Sequence, residues 1–425
     1  MTATIETDVC VLGSGPVAAA LASGAAQLGM RTMLVPTPGG FRPQRPVVLK
    51  ALAEAGRVAA AVRSAPGFGI VAGAAAADWA AVRRHAEEAA SGGEPDESRE
   101  RLTALGVTVG EAPGRFIGPR HLAVAGQSVR ARRFFIVPGP AAMPAEDALL
   151  SLPELPERLT VAGGGPTAFV LAQVLARLGC AVALRPAGPP LEGFDRELAA
   201  LLMRKLAVDG VGLDDGPGVR ITAEEVLPAV ADLGLSEAGI AWDARIGIQA
   251  DGSGRTGNPR VWAAPRGANH PSATAAGLLA GAVLRLPARL SPPVRVAFTD
   301  PELVQVGLDE ESARALGVAF RLLRWPLGTI EQARAERRPD GVVKVVIDRR
   351  GRVLGVGILA PRAADMAVPW IMAVRKRLPA AEVAAAAPAS PTFADAGRLA
   401  AASAVLPLLL GGRAQRWARL MMTFA

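Results

Sequence analysis

Read for hydrophobic and polar positions alone, the chain opens with an apolar run, Val9 to Leu12, that enters a glycine turn and leaves it as a long Ala-rich stretch. The turn reads Gly13-Ser14-Gly15-Pro16-Val17-Ala18, and Ala19 to Leu28 follows with helical character before Arg31 to Val35 turns apolar again. The pattern predicts strand, turn, helix, strand. It returns in mid-chain. Leu159–Ala162 reads as a strand, Gly163-Gly164-Gly165-Pro166-Thr167-Ala168 as a turn, Phe169–Leu178 as a helix and Ala181–Leu184 as the next strand. Between the copies, Lys50 to Ala65 and Ala77 to Ser91 read as helices around the turn Gly67–Gly73, and Asp96 to Leu105 as a further helical stretch. From Val107 to Val137 the pattern predicts short strands, in VTV, RFI, HLAVAG and RRFFIV. Val219 to Ile246 offers only a short helical and strand stretch. From Val294 onward VRVAF, AFRLLRW, GVVKVVID and RVLGVGIL predict a separate α+β unit that closes on helices.

A strand–glycine turn–helix unit has a chemical use. The first glycine permits the tight turn, the second lets the backbone approach a pyrophosphate, and the third small residue packs helix on strand. The helix N-terminus then faces the phosphates. One copy is a weak signal; two copies in one chain point to two nucleotide-binding folds. The competing reading is that each turn is retained only because the βα geometry needs it.

Composition narrows the choice. At 425 residues, half of them hydrophobic, the chain has room for about three domains with a large core. No apolar stretch reaches about 18 residues, and no charged-then-apolar leader opens the chain, so a cytoplasmic protein is expected. The net charge of +8 is spread along the chain as arginine, which fits a solvated exterior or anionic ligands. No nucleic-acid module is recognisable and tyrosine is absent, so no nucleic-acid partner is expected. Cys10 and Cys180 stand far apart, in or beside predicted strands, and are expected to behave as small hydrophobes rather than as a disulfide or zinc site. His85, His121 and His270 have no Cys, Asp or Ser constellation near them, so neither a catalytic residue nor a metal ligand is assigned.

With these motifs in view the sequence resembles the pyridine nucleotide–disulfide oxidoreductases, in particular the dihydrolipoamide dehydrogenase and mercuric reductase branch. The resemblance runs through VLGSGPVAAALASGAAQLG, RARRFFIV, VAGGGPTAFVLAQVLARLG, NPRVWAA, VAFTDPELVQVGL, GVVKVVIDRRGRVLGVGILAP and PTFADAGRLAA. It implies an α/β fold: an FAD-type Rossmann-like domain interrupted by an NAD(P)-type one, then an α+β dimerisation domain. The expected division is 1–148 with 232–290, then 149–231 in trimmed form, 291–400, and a basic amphipathic tail at 401–425. A homodimer is implied, together with electron flow from nicotinamide through flavin to a cysteine pair.

The departures change that expectation. The family's redox cysteines follow a Gly-Gly; here Gly39-Gly40 leads into FRPQRPVVLK, with Arg42 and about Val47 in their places. Dithiol exchange needs an attacking thiolate and a disulfide sulfur, so it is not expected. The family's catalytic His and Glu correspond to Pro388 and Asp395, which removes the proton relay as well. An acidic residue that binds the adenosine ribose is replaced by Pro36, and the flavin-binding Gly-Asp near 264 by Pro265-Arg266. The family's Ala-Thr-Gly has become Val137-Pro138-Gly139, and in the second site Val170 replaces a helix glutamate.

The resemblance therefore implies the following cofactor contacts. Backbone at Gly13, Ser14, Gly15, Pro16, Val17 and Ala18 would hold the FAD pyrophosphate, with Gly139 nearby, Arg266 offering a cation to a phosphate and Lys50 falling near the flavin. Gly163, Gly165, Pro166 and Thr167 would hold a second pyrophosphate, and Arg185 would favour the 2′-phosphate of NADPH. Two functions remain open. One is an oxidoreductase passing hydride from NADPH to FAD to a small acceptor without thiols. The other is a flavin-free dimeric pseudoenzyme that binds a partner or another small-molecule ligand. The tail carries Arg413, Arg416, Trp417, Arg419, Leu420, Met421 and Phe424 at helical spacing, which suits a peripheral membrane contact or docking on its own dimer.

Overall fold

The computed structural model describes residues 4–37, 46–91, 98–138, 144–213, 218–223, 230–243, 247–265, 270–386, 388–406 and 412–423. Strand β1 (Thr4–Gly13) ends in the first glycine turn, and α1 (Pro16–Gln27) returns the chain to β2 (Thr32–Val35). Helices α2 (Pro46–Ser64), α3 (Trp79–Ser91) and α4 (Arg99–Ala104) lead to β3 (Val107–Val109). A meander follows, β4 (Gly114–Gly118), β5 (His121–Val124) and β6 (Gln127–Val137). After α5 (Ala145–Leu150) come β7 (Arg158–Ala162), α6 (Pro166–Arg177), β8 (Ala181–Arg185), α7 (Arg196–Val208), β9 (Val211–Gly212) and β10 (Val219–Thr222). A small hairpin, β11 (Trp242–Asp243) and β12 (Gly247–Ile248), precedes β13 (Val261–Ala263) and α8 (Pro271–Ala282). The last sheet is built from β14 (Val294–Ala297), β15 (Glu302–Gly307), β16 (Phe320–Pro326), β17 (Val342–Asp348) and β18 (Val353–Ala360), with short helices after it.

The chain forms two compact units. Residues 1–52, 78–155 and 223–293 make the first, and 53–77, 156–222 and 294–425 the second. In the first unit β1 lies between β2 and β6, parallel to both, while β3 and β13 extend the parallel sheet at its two sides. Val9 and Val11 pack toward α1 and α8, whereas Cys10 and Leu12 enter a second core with Phe116, Phe134 and the segment around Leu233. Both faces of β1 are covered, which is why its sequence is a continuous apolar run rather than an alternation.

The second unit holds two sheets. One is parallel, in the order β10-β7-β8-β9, and the other is antiparallel, β14-β15-β18-β17-β16. On β17, Val343, Val345 and Ile347 face a core that includes Trp370, so the intervening Lys344 must point the opposite way. There its side chain, only 4% exposed, brings the ammonium to Asp195 at 2.7 Å, Glu197 at 3.1 Å and Glu310 at 3.3 Å. A second buried group lies near the end of α6. The Arg177 guanidinium pairs with Asp209 and Asp300, each at 2.9 Å, and the Gln173 amide donates to the same two residues.

Three helices begin earlier than their hydrophobic pattern predicts, at Pro16, Pro46 and Pro166 rather than at Ala19, Lys50 and Phe169. Proline at the first helical position has its φ already set, and the N–H it lacks would have had no partner there. Helix α4 is shorter than expected, starting at Arg99 behind a Ser98 cap whose side chain accepts from the Arg101 N–H. Strand β15 is an addition. Its first five residues, Glu302 to Val306, are all buried, so no alternation marks it as a strand.

Candidate functional site

The first glycine turn leaves the C-terminal edge of three parallel strands, where Leu12 is in register with Val35 on one side and Ile136 on the other. This is the point at which the order of strands reverses, the place where open α/β sheets bind ligands. Gly13 is opposite Val137, and a Cβ there would overlap the Val137 carbonyl oxygen and stand 2.7 Å from its Cβ. The turn therefore presses against β6 only because the position has no side chain. Gly15, the residue capping α1, has φ 79° and ψ −174°, a conformation open in practice to glycine alone. No side chain caps the helix and its first turn holds no acid. The first-turn N–H groups of Val17 and Ala18 thus have no intrahelical partner, and the positive end of the helix is not neutralised by its own residues. Ser14, Val17 and Ala18 are buried, with Gly15 and Pro16 half-exposed. The geometry suits an anionic oxygen.

The end of β2 does not complete an adenosine site. Pro36 stands there, buried, with its carbonyl accepting the Gly114 N–H at 3.1 Å. Its ring offers no acceptor to a ribose hydroxyl. The phosphate turn fits a dinucleotide and the ribose position does not. Lys50 is exposed on α2. Gly139 and Arg266 lie outside the described residues.

The second turn joins β7 to α6. Gly163 has φ 151° and donates its N–H to the Arg185 carbonyl at 2.8 Å, which sets Arg185 at the end of β8 beside the turn with its side chain exposed. Gly165, at φ −86° and ψ 173°, lies in ordinary extended backbone that any residue adopts. The N–H of Ala168 is spent on the Gly165 carbonyl at 3.1 Å. Pro166 and Thr167 are half-exposed. The pattern did not foretell the loop that follows β8. Leu191, 1% exposed, donates its N–H to the Gly164 carbonyl at 2.7 Å, and a Cβ on Gly164 would stand 3.5 Å from the Pro189 carbonyl oxygen. The loop from Pro186 lies against the second glycine turn, and the only signal for it was a leucine among prolines.

Both thiols are buried. Cys10 is fully buried on the central strand, where loss of solvation pushes its thiol up to about 12. Cys180 is raised to about 11 by burial, and its sulfur donates to the Pro156 carbonyl at 3.1 Å. A reactive cysteine needs the opposite, a partly exposed and electropositive surrounding. Asp395 accepts from Ser390 Oγ and from the Thr392 N–H, both at 3.1 Å, and pairs with Arg398 at 3.7 Å, so it ties the preceding turn to the start of its own helix. Pro388 is half-exposed. No group of three or more His, Cys, Asp or Glu able to hold a metal exists among the described residues.

Comparison with known proteins agrees with this architecture. Residues 7–232 match the family model described as pyridine nucleotide-disulphide oxidoreductase, and residues 294–401 match the dimerisation domain of the same family. The dihydrolipoyl dehydrogenase of Thermus scotoductus is 28% identical, over 94% of this chain and 97% of that protein. A mercuric reductase of Bacillus cereus is 25% identical, over 87% of this chain and 67% of the relative. Among solved structures, the copper(II) complex of the HOCl-induced flavoprotein disulfide reductase RclA from Escherichia coli superposes with a TM-score of 0.72 at 19% identity, covering 92% of this chain and 98% of that one. On two family models that together cover most of its length, the chain belongs to the pyridine nucleotide-disulphide oxidoreductase family.

Proposed function

We propose that this protein is a thiol-independent member of its family, an oxidoreductase that binds a dinucleotide by its phosphates at the first glycine turn and has no cysteine relay. The observation that carries the proposal is the placement of the two cysteines, one on the central strand of the first unit and the other tied to a backbone carbonyl, both with raised thiol pKa. Bound FAD would supply the redox centre between a nicotinamide donor and a small acceptor. The chain's own part is to fix the phosphates. Gly13 and Gly15 bring the backbone close, the N–H groups of Val17 and Ala18 face the anion, and the start of α1 adds its dipole. Arg185, exposed beside the second turn, would pair with a 2′-phosphate and favour NADPH. In this reading residues 1–148 and 232–290 form the FAD-type part, 149–231 the NAD(P)-type part and 291–400 the dimer contact of a homodimer.

A second reading, a flavin-free binding protein, is favoured by Pro36 at the ribose position and by the loop seated on Gly164. The visible spectrum of freshly purified protein, repeated after adding FAD, separates the two. Bands near about 370 and 450 nm with stoichiometric flavin released on denaturation uphold the oxidoreductase. A colourless protein that ignores added FAD overturns it and leaves the binding protein.

A further inference from the structure

The last described helix, Gly412–Thr423, is not absorbed by any of this chemistry. Its side chains from Gln415 onward are exposed, among them Trp417 at 64%, Leu420 and Met421 at 53% and Met422 at 78%. At about 100° per residue, Trp417, Leu420 and Met421 fall on one side of the helix. Gln415, Arg419 and Thr423 fall on the other, with Arg416 at the boundary beside Leu420. The helix contains three arginines and no acid, and no Asp or Glu follows Asp395 in the sequence. Arg416 turns its Nε back to the Gly412 carbonyl at 3.1 Å, and among the described residues no carboxylate pairs with Arg416 or Arg419. No helix of the described residues is long and apolar enough to cross a membrane.

We infer that this helix docks in the plane of an anionic lipid surface, with the Trp417–Leu420–Met421 side in the headgroup boundary and the arginines against lipid phosphates. A second copy of the chain is the rival occupant. It carries the same net charge of +8, so long-range Coulomb attraction does not favour a purely cationic helix settling there. An anionic bilayer offers both things the helix lacks, an apolar layer for Trp417, Leu420 and Met421 and counter-charge for the guanidinium groups. The inference does not depend on flavin binding.

The test is flotation of the full chain with vesicles of phosphatidylcholine alone and of phosphatidylcholine mixed with phosphatidylglycerol. Binding to the mixed vesicles only, weakened by salt, is expected. Arg416→Gln with Arg419→Gln should weaken it by about 30-fold, near five-fold per arginine. Trp417→Ser with Met421→Ser should weaken it too, while the melting temperature stays unchanged because these side chains are exposed. Absence of binding to the mixed vesicles at low salt would overturn the inference. So would binding that persists undiminished in both variants, since the general positive charge would then be its cause. A change of oligomeric state in the variants without vesicle binding would assign the helix to the second copy and also overturn it.

Discussion

Replacing Lys344 by methionine keeps most of the side-chain volume and removes the one cation that Asp195, Glu197 and Glu310 share. Asp195 cannot retreat, because its carboxylate also accepts the Glu197 and Leu198 N–H groups at 3.0 and 3.2 Å and so caps α7. Removing one partner of a buried ion pair costs about 3–5 kcal/mol, chiefly from the charge left behind. At about 2–4 °C per kcal/mol for a domain of this size, the first unfolding transition should fall by roughly 10 °C. The pH dependence follows from the shifts. Burial raises the Glu197 carboxyl, but hydrogen bonds from Lys344 and Arg324 outweigh it and hold the group below its usual range. Burial lowers Lys344, and its bonds to Asp195 and Glu197 reverse this and hold it above its usual range. A depressed carboxyl stabilises the fold above its unfolded value and loses that contribution as pH falls through the folded value. A raised lysine contributes fully below its unfolded value and loses it as pH rises through the folded one. The wild-type contribution is therefore complete from about pH 5 to 10. In the variant, protonating the carboxylates relieves their repulsion, so the deficit should be largest at neutral pH and shrink toward acid. Calorimetry of both proteins from about pH 3 to neutrality checks this. A deficit below about 1 kcal/mol, the value of an exposed pair, or one that does not change with pH, would refute the reasoning.

Three further outcomes are expected. Gly15→Ala must place an L-residue at φ 79° and should cost about 1–3 kcal/mol, while Gly165→Ala, in extended backbone, should cost clearly less; thermal melting and bound-flavin content of both variants test the contrast. Native protein at pH 8 should react with a thiol reagent at neither Cys10 nor Cys180, and at both after denaturation; prompt labelling of the folded protein would contradict the burial argument. Pro36→Glu returns an acceptor to the end of β2 and should tighten FAD binding about ten-fold or more, measured by fluorescence titration, because a hydrogen bond to a charged group contributes about 1.5–3 kcal/mol. An unchanged affinity would mean that Pro36 is not what weakens the site.

Both glycine turns were legible because a βα turn writes itself locally: an apolar run, small residues where backbones approach, then an Ala-rich helix. The last sheet was legible for a similar reason, since its strands are separated by turn residues, and only β15, buried along nearly its whole length, escaped. Helix starts were misplaced by three or four residues because the apolar periodicity begins inside the helix and the proline before it reads as a breaker. What local pattern cannot show is pairing at a distance. Nothing near Lys344 announces that it meets the cap of α7, and nothing near Arg177 announces Asp300. The loop that lies on Gly164 is of the same kind: Leu191 is buried by a backbone contact to a residue that precedes it by a whole strand and helix. The cysteines were legible in number and as buried positions, and the structure places both inside the fold.

The central claim concerns a redox centre without thiols, and electron counting tests it most directly. Flavin-loaded protein would be reduced anaerobically by dithionite while the flavin bands are followed. Uptake of one electron pair per flavin, unchanged in a Cys10→Ala/Cys180→Ala variant, is the predicted result. Uptake of a second pair, lost in that variant, would contradict it and return a working disulfide to this chain.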